Sequence, residues 1–483
     1  MALRVNGGSK RAWSYVGLAT LFAVFSASGP NAARAESLLD ALAAAYQYNP
    51  RLDAERARLR ATDESVATAN SGYRPRIDYN ADVGSVTTIT RPSFGTNGTI
   101  HPRGHSIELV QPVFRGFQTT NAVNEAEANV RAGREVLRGV EQEVLISAVQ
   151  AYVDVVRDQE ILRLREDGLE FFNQELRATK DRFAVGEVTR TDVAQAEASR
   201  ASAVGDLDLA RANLKSSRAL FEQIIGTQPG QLIFPGLTHR LLPGSLKEAI
   251  AISAQENPEV VAALYREQSA RYSVDRIRGE LLPTAQLEAF YSERWDDSKT
   301  VEERETGSVV GRLNVPIYTG GEVESRVRAA KHTHISLIQE IEQARATAQS
   351  DVAQAWAQLQ GFKARLESDK QQIEANRTAL NGVREEEKVG QRTLLDVLDQ
   401  RRILLNSEIQ HAGSKRNVVL ATYTVIQNIG RLNVAELGAV ATIYDPVVHA
   451  DEVRRKWFGI DITHDDGRSE HVDFWRADVE PVK

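Results

Sequence analysis

Asp396 and Asp399 are the titratable pair whose spacing first suggests chemistry. Residues i and i+3 share one face of a helix. Such a pair could share a proton, attract a cation, or do no more than complement the positive end of a helix dipole. Acid–base catalysis would also need a nucleophile or substrate pocket beside the two acids, and the neighbouring sequence supplies neither. The other candidates are weaker. His332 and His334, two apart, point to different helix faces and make a poor metal site, while His464 and His471 stand isolated. The chain has no cysteine, which excludes disulfides, thiolate metal sites, a thiol nucleophile and a lipidated N-terminal cysteine. It also lacks a glycine-rich nucleotide loop and the G-x-S-x-G and H-E-x-x-H patterns. The residues therefore assign no enzyme activity, no cofactor and no metal.

The elements that would position the aspartates follow from the rest of the 483 residues, of which 26% are charged and 42% hydrophobic. Residues 1–35 form a separate object: basic Lys10-Arg11, an apolar stretch from Trp13 to Phe25, Gly29-Pro30, then Ala33-Arg34-Ala35. This pattern predicts a cleaved export signal. No later run of 18 apolar residues offers a spanning helix, so the mature chain is expected to be either soluble or a β-barrel. The formal charge of −7 becomes more negative once the basic leader is removed, and such an acidic body is a poor nucleic-acid binder.

Proline placement divides the remainder. Residues 113–228 and 317–445 contain none, which permits long helices there. The intervening prolines repeat: Asn49-Pro50 returns at Asn257-Pro258 and Pro75 at Pro283, both 208 positions on. From Pro112 and Pro316 onward the offset is 204, and it holds for Val185-Gly186 with Val389-Gly390 and for Asp192-Val193 with Asp396-Val397. One unit is thus written twice. The expected division is a first repeat at 36–226, a linker at 227–244, a second repeat at 245–430, a C-terminal segment at 431–463 and a flexible tail at 464–483. Each repeat reads as a short helix, a strand pair (76–114 or 284–317) and a helical hairpin (118–225 or 322–429). Apolar residues seven apart, Val155, Leu162, Leu169 and Leu176 in one hairpin and Val352, Leu359, Leu366, Ile373 and Leu380 in the other, favour coiled-coil packing. Gly186 and Gly390 mark the turns.

Within the strand pairs, Ile77, Tyr79, Ala81 and Val83 alternate with polar residues, as do Ala285, Leu287, Ala289 and Tyr291. Polar tips are expected at 95–104 and 296–307. A half-buried soluble hairpin and a membrane strand share this signature. Four strands per chain leave open edges, and barrels start at about eight strands, so a barrel would require two or three chains.

These features resemble the TolC-type outer-membrane factors. The resemblance runs from Ser37 to about Leu432. It rests on the duplication, on Gln111-Pro112-Val113-Phe114 and Val315-Pro316-Ile317-Tyr318 closing the strand pairs, and on the turns from Val185 to Val193 and from Val389 to Asp399. It implies a mainly α protein with transmembrane β-structure: a homotrimer with a 12-stranded outer-membrane barrel and an α-helical barrel crossing the periplasm. The implied role is a passive exit duct for a tripartite efflux pump or type I secretion system. The implied partners are outer-membrane lipid, a periplasmic adaptor meeting the turns at Gly186 and Gly390, and an inner-membrane RND or ABC transporter. Asp396 and Asp399 would ring a narrow entrance, where repulsion among six carboxylates raises some pKa values and favours cations. Thr191, Asp192 and Arg392 would latch that entrance shut, although Thr191 could equally cap a helix and Arg392 form a surface ion pair. Glu387 departs from the family, whose best-known member has a tyrosine there. A soluble periplasmic coiled-coil adaptor or scaffold is the alternative reading.

Overall fold

The computed structural model describes residues 37–92, 97–236, 241–439, 441–463 and 469–470. The export signal expected at 1–35, part of the tip at 95–104 and nearly all of the tail from 464 lie outside the described residues.

The first repeat contains α1 (Leu38–Tyr48), α2 (Pro50–Asn70), β1 (Arg76–Val83), β2 (Val86–Thr88), β3 (Gly98–Ile100), β4 (Arg103–Arg115), α3 (Gln118–Ala184) and α4 (Arg190–Ile225). The second contains α5 (Leu246–Glu256), α6 (Pro258–Arg278), β5 (Thr284–Ser298), β6 (Val301–Asn314), α7 (Glu322–Lys388) and α8 (Leu394–Asn428). After it come α9 (Val434–Leu437) and α10 (Pro446–Arg455).

The repeated Asn-Pro has a double structural use. Asn49 caps α2 by accepting from the Arg51 N–H at 3.0 Å, and Pro50 fills the first helical position, where no N–H is needed. The same asparagine donates through Nδ2 to the Ile224 carbonyl in the last turn of α4, at 3.0 Å. Asn257 repeats this, accepting from the Glu259 N–H and donating to the Asn428 carbonyl at the end of α8, both at 3.0 Å. Each returning helix is thereby continued by the short helix of its own repeat. The bidentate pair Arg431–Glu256, at 2.7 and 2.8 Å, fastens the second of these joints.

The outgoing helices α3 and α7 have 67 residues each, against 36 and 35 in α4 and α8. At 1.5 Å per residue the longer pair extend about 100 Å. The heptad positions face the hairpin seams: Val352, Leu359, Ile373 and Leu380 are buried, as is Val155. The hairpins lie side by side through α3 and α8, and Leu394 and Leu398 pack on Phe172, Ala196 and Ala203. Buried charges are compensated: between the hairpins Arg416 of α8 reaches Asp154 of α3 at 2.8 Å, and inside the second hairpin Ser414 of α8 donates to Asp369 of α7 at 2.5 Å.

The four long strands form an antiparallel sheet in the order β1-β4-β5-β6. Register places Asp78, Glu108, Phe290 and Ser308 in one cross-strand row, and Tyr79, Ile107, Tyr291 and Gly307 in the next. One face is consequently charged, with Glu288 held by Arg312 at 2.7 and 2.8 Å. The other is apolar and uncovered, with Ile77 65%, Val83 84% and Val309 74% exposed. Among the described residues both edges, β1 and β6, lack a strand partner. The second tip is shorter than the 296–307 expected: β5 and β6 run on and leave only Lys299 and Thr300 between them. Arg304–Asp297 at 2.9 Å and Arg294–Asp297 at 3.3 Å neutralise charges that looked like loop residues in the sequence. At the other end β6 stops at Asn314, three residues before the expected boundary.

Candidate functional site

The two hairpin turns carry all the residues singled out as gate, latch or docking site, and they are built alike. Gly186 adopts φ +83° and Gly390 φ +76°, the left-handed conformation that only glycine takes without strain. The N–H after each glycine closes the helix end: Glu187 donates to the Arg182 carbonyl at 3.0 Å and Gln391 to the Glu386 carbonyl at 2.9 Å. The next helix then starts with a reciprocal capping box. Asp192 accepts from the N–H and hydroxyl of Thr189, both at 2.8 Å, and Asp396 does the same with Thr393, at 2.9 and 2.8 Å. The cap of α4 is Thr189, not Thr191, which stays exposed on the first turn.

Asp396 is therefore an N3 capping residue. Its carboxyl lies below the usual carboxylate range, first through the Thr393 backbone N–H, then the Thr393 hydroxyl, with the Arg392 charge adding to both. Asp399, one turn on, is paired with Arg402 at 2.8 Å. Within one protomer the two acids thus have local partners, and the charge each would offer an entrance is partly offset.

Two of the three residues assigned to the latch find partners inside their own turns. Arg392 bonds Glu386 through Nε at 2.9 Å, and Asp192 bonds Thr189. The ties between hairpins come from elsewhere. Arg182, on the last turn of α3, meets Glu387 of α7 at 2.6 Å, and Arg384 of α7 meets Glu175 of α3 at 3.2 Å. Phe171 of α3 lies under two guanidinium groups, those of Arg384 at 4.8 Å and Arg401 at 5.3 Å. Glu387, noted in the sequence for departing from the family pattern, thus has a cationic partner 205 positions away. Nothing in the local spacing of Arg182 announces that pairing.

Chemical competence beyond ion pairing is absent at the turns. His334 is hydrogen-bonded to Glu267 at 2.5 Å, far along α7 from them. Among the described residues no group of three or more histidine or acidic side chains is placed to hold a metal ion, and no helix is long and apolar enough to cross a membrane.

The chain matches a family model described as outer membrane efflux protein over residues 41–227 and 249–431, the two repeats. It is 38% identical to the outer membrane efflux protein BepC of Brucella suis over 432 residues, covering 89% of this chain and 93% of that one. It is 25% identical to the outer membrane protein TolC of Vibrio cholerae over 410 residues, 83% of this chain and 92% of the relative. Its fold is similar to the Campylobacter jejuni CmeC outer membrane channel, with a TM-score of 0.73, 17% identity, and coverage of 86% and 89% of the two chains. With both repeats matched in register and a relative at 38% identity over nearly its whole length, the chain belongs to the outer membrane efflux protein family.

Proposed function

We propose that three copies of this chain close their four-stranded sheets into a twelve-stranded barrel in the outer membrane and their hairpins into a tunnel reaching through the periplasm. The observation that carries this is the sheet itself, with one charged face, one uncovered apolar face and two unpaired edges. No unpaired edge is tolerated in lipid, and four strands are too few to close. Joining β6 of one copy to β1 of the next satisfies both edges and turns the apolar face toward lipid.

The chain is a passive outer-membrane exit duct for a tripartite efflux pump or type I secretion system, and it is not an enzyme. In the proposed arrangement cargo arrives from an RND or ABC transporter of the inner membrane, and a periplasmic adaptor docks on the turns at Gly186 and Gly390. The narrow end is ringed by Asp396 and Asp399. Thr191, Asp192 and Arg392 face the next subunit there, with Asp192 and Arg392 exchanging their present local partners for intersubunit ones, as a reversible latch. Within each subunit, Arg182–Glu387 and Glu175–Arg384 hold the second hairpin against the first, in the place where the family resemblance leads one to look for a tyrosine contact.

The assembly is tested by cross-linking. The chain is free of cysteine, so a pair of cysteines in each chain, one on the outer edge of β1 and one on the facing edge of β6, is unique and can link each copy to both neighbours. Oxidation should give a ladder that stops at three chains, and a ladder that stops at two or continues past three would contradict the trimer.

A further inference from the structure

The segment after α10 contains Trp457 and Phe458, which no part of the duct uses. Helix α10 lies along α2 in the same direction, with His449 bonded to Asp63 at 3.0 Å and Arg454 to Glu127 of α3 at 2.8 Å. This carries the following residues to the root of the sheet. Arg74, two residues before β1, donates to the Lys456 carbonyl at 3.0 Å and stacks on the Trp457 ring at 4.6 Å. Lys456 also bonds the Asp461 carbonyl, and Gly459 turns the chain at φ +97°. The result is a tight loop whose carbonyls are held by the Arg74 and Lys456 side chains, with its large apolar side chains left largely exposed. Phe458 is 88% exposed and Trp457 60%, and Ile460 and Ile462 are about half exposed.

We infer that the loop Lys456–Ile462 is an accessory anchor that lies in the periplasmic leaflet of the outer membrane, against phospholipid headgroups. Three observations converge on that occupant. Through Arg74 the loop is held beside the start of β1, whose Ile77 begins the apolar sheet face, so both exposed apolar surfaces lie at the same end of the sheet. Arg455 and Lys456 precede the aromatic pair and Arg74 lies against it, while Arg454 is already paired with Glu127; these basic groups complement headgroup phosphates. Aromatic rings and long basic side chains together are the composition that settles at a bilayer surface. The inference rests on the reading of the sheet as a membrane barrel.

The absence of cysteine also makes the test clean. Full-length mature protein carrying one spin label, at Phe458→Cys, Ile77→Cys or Glu187→Cys, is reconstituted into vesicles of phosphatidylethanolamine and phosphatidylglycerol. Collision with oxygen and with a water-soluble nickel complex is then measured. The anchor predicts that the label at 458 resembles that at 77, several-fold more accessible to oxygen than to nickel, while the label at 187 shows the reverse. A label at 458 as open to nickel as that at 187 overturns the anchor, and so does one shielded from both probes, which would mean that a neighbouring subunit covers the loop. A label at 77 that reads as aqueous would sink the barrel itself, a distinguishable failure. Quenching of the unlabelled protein's fluorescence by brominated phospholipid provides a second readout. It should fall in Trp457→Phe, and an unchanged quenching ratio counts against the anchor.

Discussion

Asp192 and Asp396 each use one carboxylate oxygen on their own helix, and this separates two roles that a single substitution would confuse. Asp396→Ala removes both the acceptor and the charge and should lower the helix's stability, whereas Asp396→Asn keeps an acceptor for the Thr393 N–H and hydroxyl while removing the charge. If the carboxylates gate by charge, the channel should prefer cations and be blocked by divalent ones, and Asp396→Asn with Asp399→Asn should weaken both without lowering the unfolding temperature appreciably. Block that persists in the double variant would reduce the pair to helix capping. Arg182–Glu387 makes a complementary prediction. Glu387→Gln or Arg182→Ala should raise single-channel conductance, and the charge-swapped pair Arg182→Glu with Glu387→Arg should restore it toward wild type. A swap as leaky as either single change would argue that the pair is a surface contact only.

Glu141 gives the pH dependence at this scale. Burial pushes its carboxyl above the ordinary value of 4.5, with the Val434 N–H and the charges of Arg56 and Arg138 offsetting part of the rise. The folded protein therefore binds this proton more tightly than the unfolded chain does. Ionised Glu141 costs stability at neutral pH, and the cost is relieved as pH falls through the raised value toward 4.5. Glu141→Gln should unfold at a higher temperature than wild type at neutral pH, with the difference shrinking on mild acidification. A difference independent of pH would contradict the assignment.

At the scale of elements, the joints at Asn49 and Asn257 determine whether each returning helix continues into the next. Asn257→Ala loses a cap and the bond to Asn428, and should cost about 1 to 2 kcal/mol, read as a lowered unfolding midpoint of the assembled protein. Asn257→Asp, which keeps the cap and loses only the Nδ2 donor, should fall between. Much of this level was legible in the sequence. The duplicated Asn-Pro, the proline-free spans and the turn glycines mark element ends because each reflects a local backbone rule. The strand extension past Trp295 was hidden because Asp296, Asp297, Glu302, Glu303 and Glu305 read as a solvated tip, whereas Arg304 across the strand pair and Arg294 on the same strand allow Asp297 to stay in a strand. The start of α4 at Thr189 was legible from the glycine turn before it, but the cap was considered at Thr191; the reciprocal spacing of Thr189 to Asp192 was the signal that identifies the cap. Arg182–Glu387 was not legible at all, since it depends on how the two hairpins lie against each other, which no local pattern encodes.

For the whole molecule, the chain presents surfaces that one copy does not cover: the apolar sheet face, two strand edges and the outward flank of α7, where Ile335 and Ile338 are exposed. Contiguous apolar area of this kind marks contact with lipid or with another chain. The central claim is that three chains form a gated duct, and single-channel recording tests it most directly. Mature protein extracted from the outer-membrane fraction and added to a planar bilayer should give small, cation-selective steps, and Asp396→Asn with Asp399→Asn should give steps with the selectivity reduced. No steps from either form, with the protein recovered in the soluble periplasmic fraction, would mean that the strands never enter lipid and would contradict the account.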